Sequence, residues 1–149
     1  CRMDTWFADM VSPDWPQKRA DAMRLLQEEA ELDEIVRLVG VDALSFKDRL
    51  TLEVTRMIRE DYLHQNAFDE IDTYTSLPKQ YRMLSLILEY QEKGQQALEN
   101  GANLSQVSSL PVRERIGRAK YIAEDDLKQF DVIETELGDQ MAALTEGGL

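Results

Sequence analysis

The chain has 149 residues and a formal net charge of −12, from 29 acidic and 17 basic side chains. Its length favours one domain, and its acidic balance argues against nucleic-acid binding, which needs a basic face. One cysteine excludes an internal disulfide, and no apolar run approaches the roughly 20 residues that cross a bilayer, so no direct membrane insertion is expected.

The first predicted helix begins at residues 12–14, Ser-Pro-Asp, where a capping residue is followed by an early proline. It runs to about Val39, and Gly40 is a natural stop. Its apolar residues recur at helical intervals, at Ala22, Leu25, Leu26, Leu32, Ile35, Val36 and Val39. We interpret residues 1–14 as a linker segment from a longer polypeptide.

The second predicted helix begins at Ser45, with Asp48 in capping-box spacing, and ends near His64. Beyond it the apolar spacing breaks, and Phe68 and Tyr74 are left among acidic residues on a segment that no longer has a helical pattern. Aromatic side chains on such a connection need a reason, because connecting segments run over the surface and often carry function.

The third predicted helix begins at Ser76, which is followed by an early proline, and ends at Gly101. Residues 103–110 are rich in Ser and Asn, which predicts a loop. Pro111 begins a short helix, and the last helix is predicted to begin at residues 124–126, where three acidic side chains suit the positive end of the helix dipole.

Strand signals are nearly absent, since there is no sustained alternation and no Asn-Gly or Asp-Gly dipeptide. The sequence therefore predicts an all-α fold, a bundle of about four to five helices over residues 15–146. Residues 147–149 are predicted to be a frayed end.

The usual phosphate-binding glycine motifs do not occur in the chain, and no pair of carboxylates stands out as a catalytic pair. The basic group Arg113, Arg115, Arg118 and Lys120 indicates either a solvated helix face or a contact for an acidic partner. The residues alone indicate an acidic helical bundle and do not support an enzyme. An unrelated helical adaptor that binds other proteins is the alternative reading of the same pattern.

Several long segments in the same order resemble the C-terminal domain of the catalytic subunit of archaeal-type and vacuolar-type rotary ATPases. The longest covers residues 56–74, and the others cover residues 29–40, 79–84 and 111–117. The resemblance extends from about Trp15 to Met141. It implies that the linker packs on a preceding domain, so that the stretch from Trp6 to Trp15 would be exposed or misplaced here. The adaptor alternative predicts that this stretch packs internally.

The resemblance implies a parent subunit that synthesises or hydrolyses ATP, coupled to rotation of a central stalk and to proton or sodium translocation. The family's phosphate loop, catalytic carboxylate and magnesium ligand belong to the preceding α/β domain, so ATP or ADP with Mg is expected in the parent subunit. No tightly bound cofactor and no activity are expected for this piece alone. The implied partners are the preceding domains, the non-catalytic subunit that alternates with the catalytic one in a hexamer, and the central stalk, in a cytoplasmic head peripheral to the membrane.

The resemblance also implies an adenine pocket at the segment after the second helix. Phe68 is expected to stack on the base, Gln65 to contact the base edge or the pocket wall, and Tyr74 to supply a second aromatic side chain. The alternative is that Phe68 and Tyr74 fill the gap between the second and third helices.

A stalk contact is implied for the turn between the first two helices, at Asp42, Ala43, Leu44, Ser45, Phe46, Lys47 and Asp48. The F-type catalytic subunits carry an acidic stretch at this place. Phe46 and Lys47 replace two of its acidic positions, which favours a mixed apolar and polar contact. The alternative is a plain capped turn, which Ser45 and Asp48 explain by themselves.

Overall fold

Six α-helices make up most of residues 12–63 and 75–146, the part of the chain that this computed structural model describes. They are α1 (Trp15–Val39), α2 (Phe46–Met57), α3 (Leu77–Glu99), α4 (Leu104–Ser108), α5 (Pro111–Arg118) and α6 (Gln129–Glu146). A π-helical segment, Ile58–Leu63, continues α2, and 3-10 turns occur at Val41–Ala43 and Ala119–Tyr121. The described residues contain no strand, which confirms the predicted all-α class.

Serine side chains begin two of the helices as predicted. Ser45 Oγ accepts a hydrogen bond from the backbone N–H of Asp48 at 3.1 Å, and Ser76 Oγ accepts one from Lys79 at 3.2 Å. Each bond satisfies an N–H group that has no partner within the first helical turn. Gly40 ends α1 with a φ of 92°, a conformation that favours glycine.

The loop predicted for residues 103–110 is wrong, because α4 lies there. Asn103 Oδ1 accepts from the N–H of Gln106, and Gln106 Oε1 accepts from the N–H of Asn103, both at 2.9 Å. This reciprocal pair is a capping box, and the helix it begins buries Val107 completely. The polar residues that suggested a loop are therefore the start of a helix.

The predicted start of the last helix at residues 124–126 is also wrong, because α6 begins at Gln129. The residues before it form successive turns, with the N–H of Asp126 donating to Ala123 and that of Gln129 donating to Asp126. The carboxylate of Glu124 instead accepts a hydrogen bond from the backbone N–H of Ser76 at 3.2 Å. An acidic cluster that suits one helix start thus serves the start of another.

Helix α3 lies at the centre of the bundle and packs against α1, α2 and α6. Tyr90 is fully buried on α3, and its hydroxyl donates to the carbonyl oxygen of Val107 at 3.0 Å. At Gly94 the neighbouring helices come close, since a Cβ there would lie 3.0 Å from Leu50 Cδ2. No helix in the described part of the chain is long and apolar enough to cross a membrane.

Candidate functional site

The turn between α1 and α2 is the predicted stalk contact, and the structure describes all of it. Leu44 is buried and anchors the turn on the bundle, while Ser45 and Asp48 form the cap at the start of α2. Phe46 is 58% exposed. The predicted residues therefore divide into an inward anchor, a capping pair and an outward aromatic ring.

The ring of Phe46 is held by an arginine of the following turn. The guanidinium carbon of Arg49 lies 5.3 Å from the ring centre, within the range of a cation–π contact. The same guanidinium lies 3.6 Å from a carboxylate oxygen of Asp42, whose side chain is 97% exposed. Arg49 thus links the acidic and aromatic residues of the turn, and the ring projects from a fixed base.

Further apolar side chains are exposed at the end of the bundle that carries Phe46. Five of the nine large hydrophobic side chains that are exposed in the described residues belong to this end of the bundle, and we call them the tip surface: Ile35, Leu38, Val39, Val41 and Phe46. Within the tip surface, Leu38 and Val39 are the most exposed, at 70% and 68%. A cluster of exposed apolar residues commonly marks a site of interaction with another protein.

The sequence reasoning missed most of the tip surface. It assigned Ile35 and Val39 to the apolar stripe of the first helix, but both are exposed because α1 extends beyond the core; its last buried residue is Leu32. The signal was present in the sequence, because apolar residues at 35, 36, 38, 39 and 41 are too dense for one buried stripe.

The predicted adenine-pocket residues Gln65, Phe68 and Tyr74, together with His64, lie outside the described residues. The structure describes the elements on either side of that segment. The α-helix predicted to reach His64 changes at Ile58 to a π-helical segment that ends at Leu63, and α3 begins at Leu77. Short π-helical segments are rare and frequently occur at functional sites.

A groove of about 650 Å³ lies between these two ends and the start of α1. Trp15, Arg19, Tyr62, Leu63 and Leu77 are among its lining residues. Trp15 is only 2% exposed and packs edge-on against Tyr81, with ring centres 5.7 Å apart. Of the two outcomes expected for the stretch from Trp6 to Trp15, exposure does not hold at Trp15, and Trp6 lies outside the described residues.

A polar cluster joins the same two ends on another side of the bundle. Lys120 Nζ lies 3.2 Å from Asp61 Oδ1 in the π-helical segment, and Lys79 Nζ donates to the carbonyl oxygen of Lys120 at 2.7 Å. Burial raises the pKa of the Asp61 carboxyl, although the hydrogen bond from Lys120 opposes the rise. Burial lowers the pKa of Lys79, and the charge of Glu124 partly offsets this.

Three of the four basic residues noted between 113 and 120 pair within the chain. Arg113 Nη1 lies 2.7 Å from Glu53 Oε1, Arg115 pairs with Glu136, and Lys120 pairs with Asp61. The fourth, Arg118, lies over the exposed ring of Tyr121. Internal ion pairs therefore explain most of this group, and a contact for an acidic partner is not needed to account for it.

Comparison with known proteins places this geometry in a family. A profile of the C-terminal domain of V and A type ATP synthase matches residues 4–108, which is more than half of the chain. The chain belongs to this family. This confirms the resemblance found in the sequence, and the helices that carry the turn and the π-helical segment are those of a V/A-type C-terminal domain.

Individual relatives are similar to this V/A-type domain at high identity. The V-type ATP synthase alpha chain of Acetivibrio thermocellus is 61% identical over 140 residues, which cover 93% of this chain and 24% of that protein. The alpha chains of Thermoanaerobacter pseudethanolicus and Clostridium perfringens strain 13 are 60% and 56% identical, over 93% and 99% of this chain and 23% and 25% of those proteins. The chain thus spans about a quarter of the length of these relatives.

Proposed function

We propose that this V/A-type domain couples nucleotide binding to movement of a central stalk, as the C-terminal bundle of the catalytic subunit. One end of the bundle contributes to the adenine pocket, and the other end contacts the stalk. The names of the relatives, all V-type ATP synthase alpha chains, support the assignment to this subunit.

The tip surface is the observation that carries the proposal. Its exposed apolar residues lie at the end of α1, in the turn and, with Phe46, at the start of α2. The segment that bears Phe68 follows in sequence after Leu63, at the far end of the helical element that Phe46 begins. From Phe46 to Leu63 there are 18 residues, which at a rise of 1.5 Å per residue separate the two ends by roughly 27 Å. One continuous element therefore connects the two proposed contacts.

This element is well suited to transmit a displacement. Leu50, Val54 and Ile58 are almost completely buried along one side of it. On the surface, two guanidinium nitrogens of Arg59 bond to Glu29 Oε1 of α1, at 2.5 and 2.8 Å. Closely packed cores shift as units and do not deform continuously, so movement at one end should appear at the other.

At the nucleotide end, the support is the resemblance of residues 56–74. Stacking of an adenine ring on Phe68 would contribute about 1–3 kcal/mol, with Gln65 and Tyr74 completing the pocket. Among the described residues no group of three or more His, Cys, Asp or Glu side chains could hold a metal ion. The assignment of Mg and the phosphates to the preceding domain of the parent subunit rests on the resemblance alone.

The parent assembly supplies the remaining parts of the proposal. We assign ATP synthesis or hydrolysis, the alternating arrangement with the non-catalytic subunit and the coupling to ion transport to the complete enzyme. In it, this domain occupies the cytoplasmic head, peripheral to the membrane. Phosphoryl transfer requires a positioned lysine, a metal ion and an oriented water, so the bundle is proposed to position and transmit and not to catalyse.

Replacing Phe68 by Ala in the full-length protein, once it is assembled into the head, tests the nucleotide end. Loss of about 1–3 kcal/mol of stacking should weaken ATP binding by roughly 5- to 150-fold. Phe46→Ala, measured in a head prepared without the central stalk, is the matched control. It removes a ring of the same size at the other end of α2 and, with no stalk to contact, should leave ATP affinity unchanged. Equal ATP affinity in wild type and Phe68→Ala would refute the adenine contact.

A further inference from the structure

Three hydrogen bonds join the connection between α5 and α6 to two other elements, the π-helical segment and the start of α3. Lys120 Nζ donates to Asp61 Oδ1 at 3.2 Å, Lys79 Nζ donates to the Lys120 carbonyl at 2.7 Å, and Ser76 N–H donates to Glu124 Oε2 at 3.2 Å. We call Asp61, Ser76, Lys79, Lys120 and Glu124 the polar clamp. Asp61 lies on the π-helical segment, Ser76 and Lys79 lie at the start of α3, and Lys120 and Glu124 lie in the connection between α5 and α6.

Lys79 is the unusual member of the polar clamp. It is only 5% exposed, yet within the described residues its ammonium has a backbone carbonyl as hydrogen-bond acceptor and no carboxylate within 4 Å. Burial of an ammonium without a close carboxylate is unfavourable, and an apolar side chain of similar size is often at least as stable there. Lys79 therefore does not have the features of a residue that serves stability alone.

The ion pair between Asp61 and Lys120, also part of the polar clamp, is closely packed. The side chains of Asp61 and Lys120 are 19% and 18% exposed. A Cβ at Gly117 would lie 3.3 Å from Asp61 Oδ2, so α5 approaches the carboxylate through a position without a side chain. The Asp61 carboxylate is thus confined between Lys120 and the backbone of α5.

The polar clamp joins the last turn before residue 63 to the first turn after residue 75. We infer that Lys79 is a positioning residue, which acts through Lys120 and Asp61 to fix the separation between the π-helical segment and the start of α3. The inference rests on the proposed function, because Gln65, Phe68 and Tyr74 lie in sequence between these two ends. Lys79 touches no nucleotide in this account; it sets the distance between the supports of the adenine contact.

The first test measures whether Lys79 couples the two ends. Amide hydrogen exchange would be compared in the full-length protein without nucleotide, for wild type and Lys79→Met. Faster exchange in both Ile58–Leu63 and the first turn of α3 supports the inference. Lys128→Met, which removes a lysine from the turn before α6, is the control and should change neither region. Unchanged exchange in Ile58–Leu63 overturns the inference, because the effect would then be confined to α3.

The second test measures a property that a purely stabilising residue would not affect. Affinity for ATP and for tripolyphosphate, which lacks the base, would be measured for Lys79→Met and Phe68→Ala in the assembled head. We expect both variants to weaken ATP binding severalfold and to leave tripolyphosphate binding unchanged. Lys128→Met, the control of the first test, lies outside the polar clamp and should retain wild-type affinity.

The outcomes separate this inference from the proposed function. If Phe68→Ala weakens ATP binding and Lys79→Met does not, the positioning role is overturned and the adenine contact stands. If Phe68→Ala has no effect, the adenine contact is overturned, and the hydrogen-exchange result alone decides whether Lys79 couples the two ends. Equal weakening of ATP and tripolyphosphate binding by Lys79→Met also overturns the positioning role, because the loss would not concern the base.

Discussion

Arg49 lies over the ring of Phe46, with its guanidinium carbon 5.3 Å from the ring centre. The contact supports one side of an aromatic side chain that is otherwise largely exposed. Leu38 and Val39, at the end of α1 that leads into this turn, are exposed and aliphatic. A partner that approaches this end of the bundle would therefore contact an apolar surface around a fixed ring, rather than a row of carboxylates.

The stability of the turn between α1 and α2 should depend more on the cap formed by Ser45 than on the exposed carboxylate of Asp42. Ser45→Ala removes the acceptor for the Asp48 N–H, and loss of an N-cap costs about 1 kcal/mol. Asp42→Asn should leave the free energy of unfolding unchanged, because the Asp42 side chain is almost fully exposed. Urea denaturation of both variants measures the difference, and an equal effect of the two substitutions would contradict the capping role of Ser45.

Two glycine-to-alanine substitutions in helices should have opposite effects. Helix propensity alone predicts that each adds about 1 kcal/mol of stability. At Gly94, however, a Cβ would lie 3.0 Å from Leu50 Cδ2 and 3.2 Å from Val107 Cγ1. Overpacking costs about 1–3 kcal/mol, so Gly94→Ala should lower the free energy of unfolding.

Gly138 is the matched control, because nothing lies within 4 Å of its Cβ position on α6. Gly138→Ala should raise the free energy of unfolding by about 0.5–1 kcal/mol. Thermal or urea denaturation of both variants measures whether each substitution raises or lowers the free energy of unfolding. Stabilisation by Gly94→Ala would show that the contact between α3 and α2 is looser than described.

The buried hydroxyl of Tyr90 should make stability depend on alkaline pH. Burial raises the pKa of Tyr90 to about 12, above its ordinary value of 10.0, so the folded state holds this proton longer than the unfolded state. The contribution is complete below pH 10 and is lost as the pH rises towards 12. The loss should be visible as a falling free energy of unfolding across that window.

In Tyr90→Phe, the part of the fall in the free energy of unfolding above pH 10 that comes from this hydroxyl should be absent. It should also destabilise the bundle by about 0.5–1.5 kcal/mol at neutral pH, because the Val107 carbonyl loses the hydrogen bond from Tyr90 and keeps only the longer backbone one from Leu110. Tyr121→Phe is the control, since Tyr121 is 69% exposed. An identical pH profile for Tyr90→Phe and wild type would contradict the raised pKa.

The contribution of Lys79 to stability should rise with pH, whereas that of Tyr90 falls. Its pKa is lowered by burial from the ordinary value of 10.5, so between the two values the unfolded chain binds more protons than the folded one. The stability of the wild type relative to Lys79→Met should therefore rise with pH through that window and level off near 10.5. Denaturation of both proteins over this range measures the difference, and a constant difference would contradict the lowered pKa.

The sequence was most informative where structure is local. The caps at Ser45 and Ser76 and the stop at Gly40 depend on residues three or four positions away, and all three were predicted. The role of Glu124 was not, because its partner Ser76 is 48 residues distant in sequence. Spacing along one helix cannot reveal a cap that comes from another part of the chain.

In the candidate site too, local features were predicted from the sequence and features that depend on the whole fold were not. The turn at residues 42–48 was located from the resemblance, but the exposed residues Leu38 and Val39 were missed. Periodicity shows which residues share a helix face; it does not show where the core beneath that face ends. The contact between Lys79 and Lys120 also escaped prediction, because a lysine on a helix is ordinarily a solvated side chain. Phe68 stays a prediction from resemblance.

The central claim is that the tip surface transmits force between this domain and the stalk. The direct measurement is the number of ions transported per ATP hydrolysed by the assembled enzyme that carries Leu38→Asp with Phe46→Asp. Val132→Asp, at an exposed apolar position on α6, is the control. We predict that the double variant still hydrolyses ATP while transport per ATP falls, and that the control keeps wild-type coupling. Unchanged coupling in the double variant would contradict the account.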